Sequence, residues 1–116
     1  MTPEGRVKSW LDEELNKRKP WVWRFKPVQS GYGKPALDYI LCVNGWFLSI
    51  ETKAPGKKLT ERQKITRREI NAAGGPVYVV SSKEEIMVVM GIIDNFKGNE
   101  RRYDTNLYEA SSTSDP

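Results

Sequence analysis

Histidine is absent from this sequence, and cysteine occurs once, as Cys42. No internal disulfide can form, and no zinc cluster can be built from thiolates. Catalysis by Ser-His-Asp or Cys-His sets is excluded, as are histidine general bases and histidine-ligated zinc. Long apolar runs are missing too: none reaches the ~18 residues that a membrane span needs. The N-terminus, MTPEGRVKSWLDEE, is charged and lacks the apolar stretch of a signal peptide. The expectation is a soluble cytoplasmic protein with no membrane partner. Any hydrolytic chemistry must use carboxylates, lysine, hydroxyls or a hard metal ion held by oxygen ligands.

What the chain does contain fits one folded domain. Its 116 residues are 38% apolar, enough for a single core beneath a polar surface. The net charge is +4, from 19 Lys and Arg against 15 Asp and Glu. The excess is concentrated. Lys53, Lys57, Lys58, Arg62, Lys64, Arg67 and Arg68 fall between positions 53 and 68, with Glu61 as the one acid there. Such a cluster suits a polyanion, although a merely solvated helix face has the same composition.

The periodicities give an element order of α-β-β-β-α-β-α. Val7, Trp10, Leu11 and Leu15 recur at helical spacing over 3–18, with Thr2 as N-cap and Pro3 at the first helical position. WVWRFK (21–26) alternates as a strand, with Trp21, Trp23 and Phe25 sharing one face. A glycine-rich loop, SGYGKP, follows at 30–35. Strand-like runs at 38–43 and 46–53 flank Asn44-Gly45, the dipeptide that favours a type I′ hairpin turn. A helix over 61–73 starts at Thr60, a strand lies at 77–80, and a last helix at 83–95 starts at Ser82 with Glu85 completing a capping box. Positions 1–97 read as the domain and 98–116 as a polar C-terminal tail. A helix joining the third strand to the fourth gives an α/β fold, a mixed sheet flanked by helices.

The Asn44-Gly45 turn fixes a register. Val43 then pairs with Trp46, and counting outward sets Asp38 opposite Glu51 on one face. Strand alternation adds Lys53 to that face. Opposed carboxylates destabilise a sheet unless something compensates, and a divalent cation does so. Two carboxylates, the backbone carbonyl of Thr52, water and phosphate oxygens form a ligand set suited to Mg²⁺. Lys53 either stabilises charge on a phosphate or helps position and deprotonate a water. The competing reading is that Glu51 and Lys53 are ordinary surface residues of a sheet.

At these residues the chain resembles a known family. PALD (35–38) followed by IETK (50–53) looks like the PD-(D/E)xK nuclease signature. The run GKPALDYILCVNGWFLSIETKAPGKKLTERQ, with AAGGPVYVV after it, is similar to the VRR-NUC domain. That family includes standalone phage-type proteins and the C-terminal domain of the Fanconi-associated nuclease. The resemblance spans about residues 3–90. Ala36 and Leu37 separate the Pro from the Asp, a departure from the motif that puts the shape of this loop in question.

The resemblance implies a restriction-endonuclease-like core and Mg²⁺- or Mn²⁺-dependent cleavage of DNA. It assigns metal binding to Asp38 and Glu51 and the catalytic lysine to Lys53. It also implies an acid on the first helix, for which Glu4 is the choice ahead of Glu13 and Glu14. Gln63 matches a glutamine on the helix after the lysine motif, and Thr60-x-x-Gln63 is equally a capping box. Standalone members resemble homodimeric resolvases of four-way DNA junctions, acting in the host cytoplasm when phage-encoded. The aromatic strand or the apolar last helix (Ile86, Val88, Val89, Ile92, Ile93) would supply the dimer surface, unless both simply pack the core. Lys34, Lys57, Lys58, Lys64, Arg67 and Arg68 are the expected phosphate contacts, with Tyr32 beside Lys34. The alternative is a non-catalytic DNA-binding module with the same fold.

Overall fold

A computed structural model describes residues 1–28 and 36–102. The glycine-rich loop with Tyr32 and Lys34, and positions 103–116, lie outside the described residues. The elements are α1 (Pro3–Asn16), β1 (Val22–Phe25), β2 (Tyr39–Val43), β3 (Trp46–Thr52), α2 (Glu61–Ala72), β4 (Val77–Val80) and α3 (Lys83–Asp94). Their order is the one expected, with ends shifted by one or two residues. No described helix is long and apolar enough to cross a membrane.

The helix starts follow from capping chemistry. Thr2 Oγ1 accepts from the Gly5 amide at 3.0 Å, which satisfies a donor that the first turn leaves open. Thr60 and Gln63 form a reciprocal box, Gln63 amide to Thr60 Oγ1 and Thr60 amide to Gln63 Oε1. At α3 the expected box is altered. Ser82 accepts from the Glu85 amide, but the Glu85 carboxylate reaches back one residue further, to the amide and hydroxyl of Ser81.

The four strands lie in the order β1-β2-β3-β4. β1, β2 and β3 pair antiparallel, and β4 runs parallel to β3 through the α2 crossover. The hairpin register is the counted one: Val43 pairs with Trp46, and the ladder runs without a bulge to Tyr39 and Ile50. Asn44 and Gly45 both have positive φ, 51° and 94°, as a type I′ turn demands.

One face of the sheet carries Val22, Tyr39, Leu41, Val43, Leu48, Ile50 and Val80. These pack on Val7, Leu11 and Leu15 of α1 and on Ile86, Val89, Met90 and Ile93 of α3. Alternation in β1 decides between the two uses open to its aromatics, core packing and an exposed face. Val22, not Trp23 or Phe25, enters the core, because Val22 pairs with buried Val43 while Trp23 pairs with exposed Cys42. Trp21 precedes the strand and packs at the core's edge. Arg18 forks onto Asp94 at 2.7 and 3.0 Å, tying α1 to α3.

Residues beyond α3 return to the hairpin. Asn44 Nδ2 donates to the carbonyls of Phe96 and Lys97, its amide donates to Trp21, and its carbonyl accepts from Arg101. Trp46 Nε1 donates to the Asn99 carbonyl. A Cβ at Gly45 would collide with the Arg101 carbonyl, and the φ of 94° is itself unfavourable for any other residue. Gly45→Ala should therefore cost about 2 kcal/mol of stability in urea titrations. A loss under about 0.5 kcal/mol would mean the turn does not constrain the fold.

Candidate active site

The hairpin ends where two acids meet. Asp38 lies one residue before β2 and Glu51 one residue before the end of β3. The ladder beyond the Tyr39–Ile50 pair brings them side by side, and their carboxyls share a hydrogen bond. Glu51 is 2% exposed. Burial, then the hydrogen bond to Asp38 and the charge of Asp38, push its pKa up to about 9, with Glu4 adding to the rise and Lys53 opposing it. Glu51 is therefore the protonated partner and donates to Asp38.

Asp38 behaves oppositely. Burial works to raise its pKa, but hydrogen bonds from Glu51 and from Thr52, with the Lys8 ammonium nearby, bring it below the usual carboxylate value. Thr52 contributes twice, its amide donating to Asp38 Oδ2 at 3.1 Å and its hydroxyl at 2.6 Å. Two adjacent carboxyls, one ionised and one neutral, are what mutual repulsion produces in a buried site.

α1 supplies the remaining charges. Lys8 Nζ lies 3.8 Å from Asp38 and 3.7 Å from Glu4. Its position follows from how α1 is fastened. Asp12 accepts from the Tyr39 hydroxyl at 3.0 Å and from Lys26 at 2.7 Å, which holds that helix face over β2 and β1. Burial, then the Asp12 carboxylate, holds the Tyr39 hydroxyl well above the usual phenol range, so it stays a donor.

The proposed residues are thus not all equivalent in place. Asp38, Glu51 and Lys53 come together, and Glu4 stands outside them with Lys8 between it and Asp38. Among the described residues no three of the metal-binding types close on one point. Gln63 spends its side-chain oxygen on the α2 cap, and no hydrogen bond among the described residues joins it to either acid. Lys57 and Lys58 are exposed in the loop after β3. Lys64, Arg67 and Arg68 are exposed on α2, where Lys64 pairs with Glu61 at 3.1 Å. Sequence reasoning missed Lys8, which the Glu4-to-Lys8 helical spacing marks as a neighbour of the site. It also missed the Thr52 hydroxyl, having singled out only that residue's carbonyl.

The donor set is all oxygen and hard, with a buried proton between two carboxyls where charge is in surplus. Two close carboxyls of this kind fit a hard divalent cation such as Mg²⁺, which Asp38 and Glu51 would hold.

The raised pKa of Glu51 has a consequence for stability. Between the ordinary value of 4.5 and about 9, the folded metal-free protein holds one proton more than the unfolded chain. Stability must fall as pH rises through that window. Denaturant titrations in EDTA should show a loss on the order of a few kcal/mol between pH 5 and pH 9. Glu51→Gln should flatten that slope, and an unchanged slope in the variant would assign it to other groups.

No family model matches the chain, and no curated protein matches it in sequence. A solved structure described as a VRR_NUC domain does match in shape, with a TM-score of 0.68 at 22% identity. The match covers 78% of this chain and 97% of that one. The chain therefore has an α/β fold like that of the VRR_NUC domain structure, a four-stranded mixed sheet with three helices.

Proposed function

We propose that this protein is a metal-dependent, structure-selective DNA endonuclease that hydrolyses phosphodiester bonds in branched DNA, with the four-way junction as its substrate and a homodimer as its working form. The observation that carries this reading is the buried Asp38–Glu51 pair, with Lys53 on the same strand face. A nuclease-type fold with oxygen donors at one end of a hairpin is its setting.

Asp38 and Glu51 would hold Mg²⁺ or Mn²⁺, with the Thr52 carbonyl and Glu4 as further donors. The ion, when bound, supplies Lewis acidity and a water of lowered pKa. The protein's own part is positional and electrostatic. Thr52 fixes the Asp38 carboxylate through two hydrogen bonds, so one ligand is oriented before substrate arrives. Glu51 would have to be ionised to serve as a ligand, and its buried place beside Asp38 is where a cation's charge would favour that ionisation. Lys53 lies where its ammonium can stabilise charge on the scissile phosphate and orient the attacking water. Lys8, 3.8 Å from Asp38, balances the acids' charge and would be a further cation for a phosphate at the site. Lys57, Lys58, Lys64, Arg67 and Arg68 lie on the exposed loop and helix that follow Lys53 in the chain, and they would grip the backbone without reading sequence. One chain carries one such site, so paired symmetric cuts call for two copies.

A labelled four-way junction, a flap and a linear duplex, each incubated with Mg²⁺ or Mn²⁺, test the reading. The junction should be cut, and Asp38→Ala and Lys53→Ala should each lower the rate by about 100-fold or more. Lys53→Ala should still bind DNA. Wild-type protein that cuts none of the three substrates is not this enzyme, and full activity in Asp38→Ala would misplace the site. Light scattering checks the dimer, and a monomer at micromolar concentration would remove the paired-cut mechanism.

In a separate measurement, Arg67→Ala combined with Arg68→Ala should reduce the slope of log affinity against log salt by about 2. An unchanged slope would take α2 out of the DNA interface.

A further inference from the structure

The two faces of the sheet are finished differently. α1 and α3 cover the core face. On the other face α2 approaches from the β4 side, with Ile70 and Phe47 both lying against Gly75. The β1–β2 half of that face has no helix over it among the described residues. It carries Trp23 and Phe25, which are 59% and 49% exposed, and beside them Cys42, Ile40 and Phe47. Phe47 is itself 44% exposed. Trp23, Cys42 and Phe47 form one row across three strands, and Phe25, Ile40 and Ser49 form the next.

Asp38 comes next, two residues before Ile40 and one before the start of β2. Its carboxyl meets this face through its hydrogen bond to Glu51, which alternates with core-facing Ile50, and meets the α1 side through Thr52 and Lys8. With ~3.3 Å per residue and ~4.8 Å between strands, Phe25 stands about 8 Å from Asp38 and Trp23 about 14 Å. The aromatic pair thus forms a track leading away from the acids. Its rings are parallel within 6°, with centroids 6.3 Å apart. That separation is close to two base-stacking steps of ~3.4 Å.

We propose that Trp23 and Phe25 form a platform on which unpaired nucleobases adjoining the scissile phosphate stack. The inference rests on the nuclease reading and sharpens its substrate: the strand entering the site is single-stranded for one or two nucleotides beyond the cut, as at a branch point. Exposed sheet aromatics serve single-stranded nucleic acid in this way, because every base has a face to stack and a flat ring loses little freedom in receiving it. Continuity with the acids, and Lys53 on the same face, favour this occupant over a second protein chain. So does area. The exposed parts of Trp23, Phe25 and Phe47 amount to roughly 300 Å², taking each aromatic as ~150–250 Å² in all. A stable protein interface needs about 800 Å² per partner.

Binding in EDTA separates the platform from catalysis. Fluorescence anisotropy with labelled oligo(dT) and with a blunt duplex of equal length is measured for wild type, Trp23→Ala/Phe25→Ala and Trp23→Leu/Phe25→Leu. Both double variants should bind oligo(dT) about tenfold or more weakly. Duplex binding should change less than twofold, and oligo(dT) should quench tryptophan emission in wild type. The Leu variant keeps the apolar area and removes only the π faces, so single-strand affinity retained in it overturns stacking. An equal loss for duplex and oligo(dT) overturns it as well. A wild-type dimer that becomes monomeric in both variants, with DNA binding lost in parallel, would identify the patch as a subunit interface and overturn the platform. If single-strand binding behaves as stated while no substrate is ever cut, the nuclease reading fails and the platform stands. If junctions are cut normally by both variants with no loss of oligo(dT) affinity, the platform fails and the nuclease reading stands.

Discussion

Two positive φ angles, at Asn44 and Gly45, determine where the rest of the site stands. A type I′ turn allows no slack in register, because a one-residue slip would turn every hairpin side chain to the opposite face. Leu41, Leu48, Tyr39 and Ile50 would leave the core, and Asp38 and Glu51 would enter it. The hydrophobic pattern and the turn thus enforce the same pairing. Asn44 reinforces it by hydrogen bonding to Trp21, Phe96, Lys97 and Arg101, which draws both the entry to β1 and the segment after α3 onto the turn. The far end of the hairpin inherits that precision. The acids sit about five residue pairs from the turn, on a ladder with no bulge.

The cost of that placement is electrostatic. A glutamate at 2% exposure beside an aspartate cannot be ionised cheaply, and the fold settles the conflict with a proton on Glu51 and hydrogen bonds to Asp38. The arrangement is stable only because Asp38 is so well supplied with donors from Thr52 and with a cation from Lys8. Lys8 in turn depends on the ties among Asp12, Tyr39 and Lys26 that hold α1 in place. The chain therefore uses its acids in two ways. Asp12 and Asp94 fasten elements together through ion pairs, while Asp38 and Glu51 are held close enough to repel each other.

Much of this was legible in the residues, for reasons that differ by feature. The hairpin register could be counted because Asn-Gly admits few turn types. The starts of α1 and α2 could be read because a cap is a local hydrogen bond between residues two or three apart. What escaped were contacts between elements. Lys8 gains its meaning only when α1 lies against β2, and no periodicity states that. Glu85 satisfies a different amide from the one the box pattern names, since its carboxylate takes both the amide and the hydroxyl of Ser81. β1 stayed open for another reason. Alternation puts Trp23 and Phe25 on one face but does not say which face meets the core. The pairing to β2 decides it by handing the core position to Val22.

That placement separates packing from exposure across the sheet. Val22 is small enough to close the core at the sheet edge against Val43, leaving larger rings free on the side where no helix covers β1 and β2. α2 does not compensate, since Thr66 is the one residue it buries fully and most of its surface is charged. A helix so weakly anchored by apolar contact has its lysines and arginines turned outward for lack of anywhere else to go. The outer face is consequently divided into a basic helix, a buried acid pair and an aromatic strip. The acids and the aromatic strip follow from one register: alternation that fills the core from one side places Glu51, Lys53, Trp23 and Phe25 on the other, and Asp38 joins them through its hydrogen bond to Glu51.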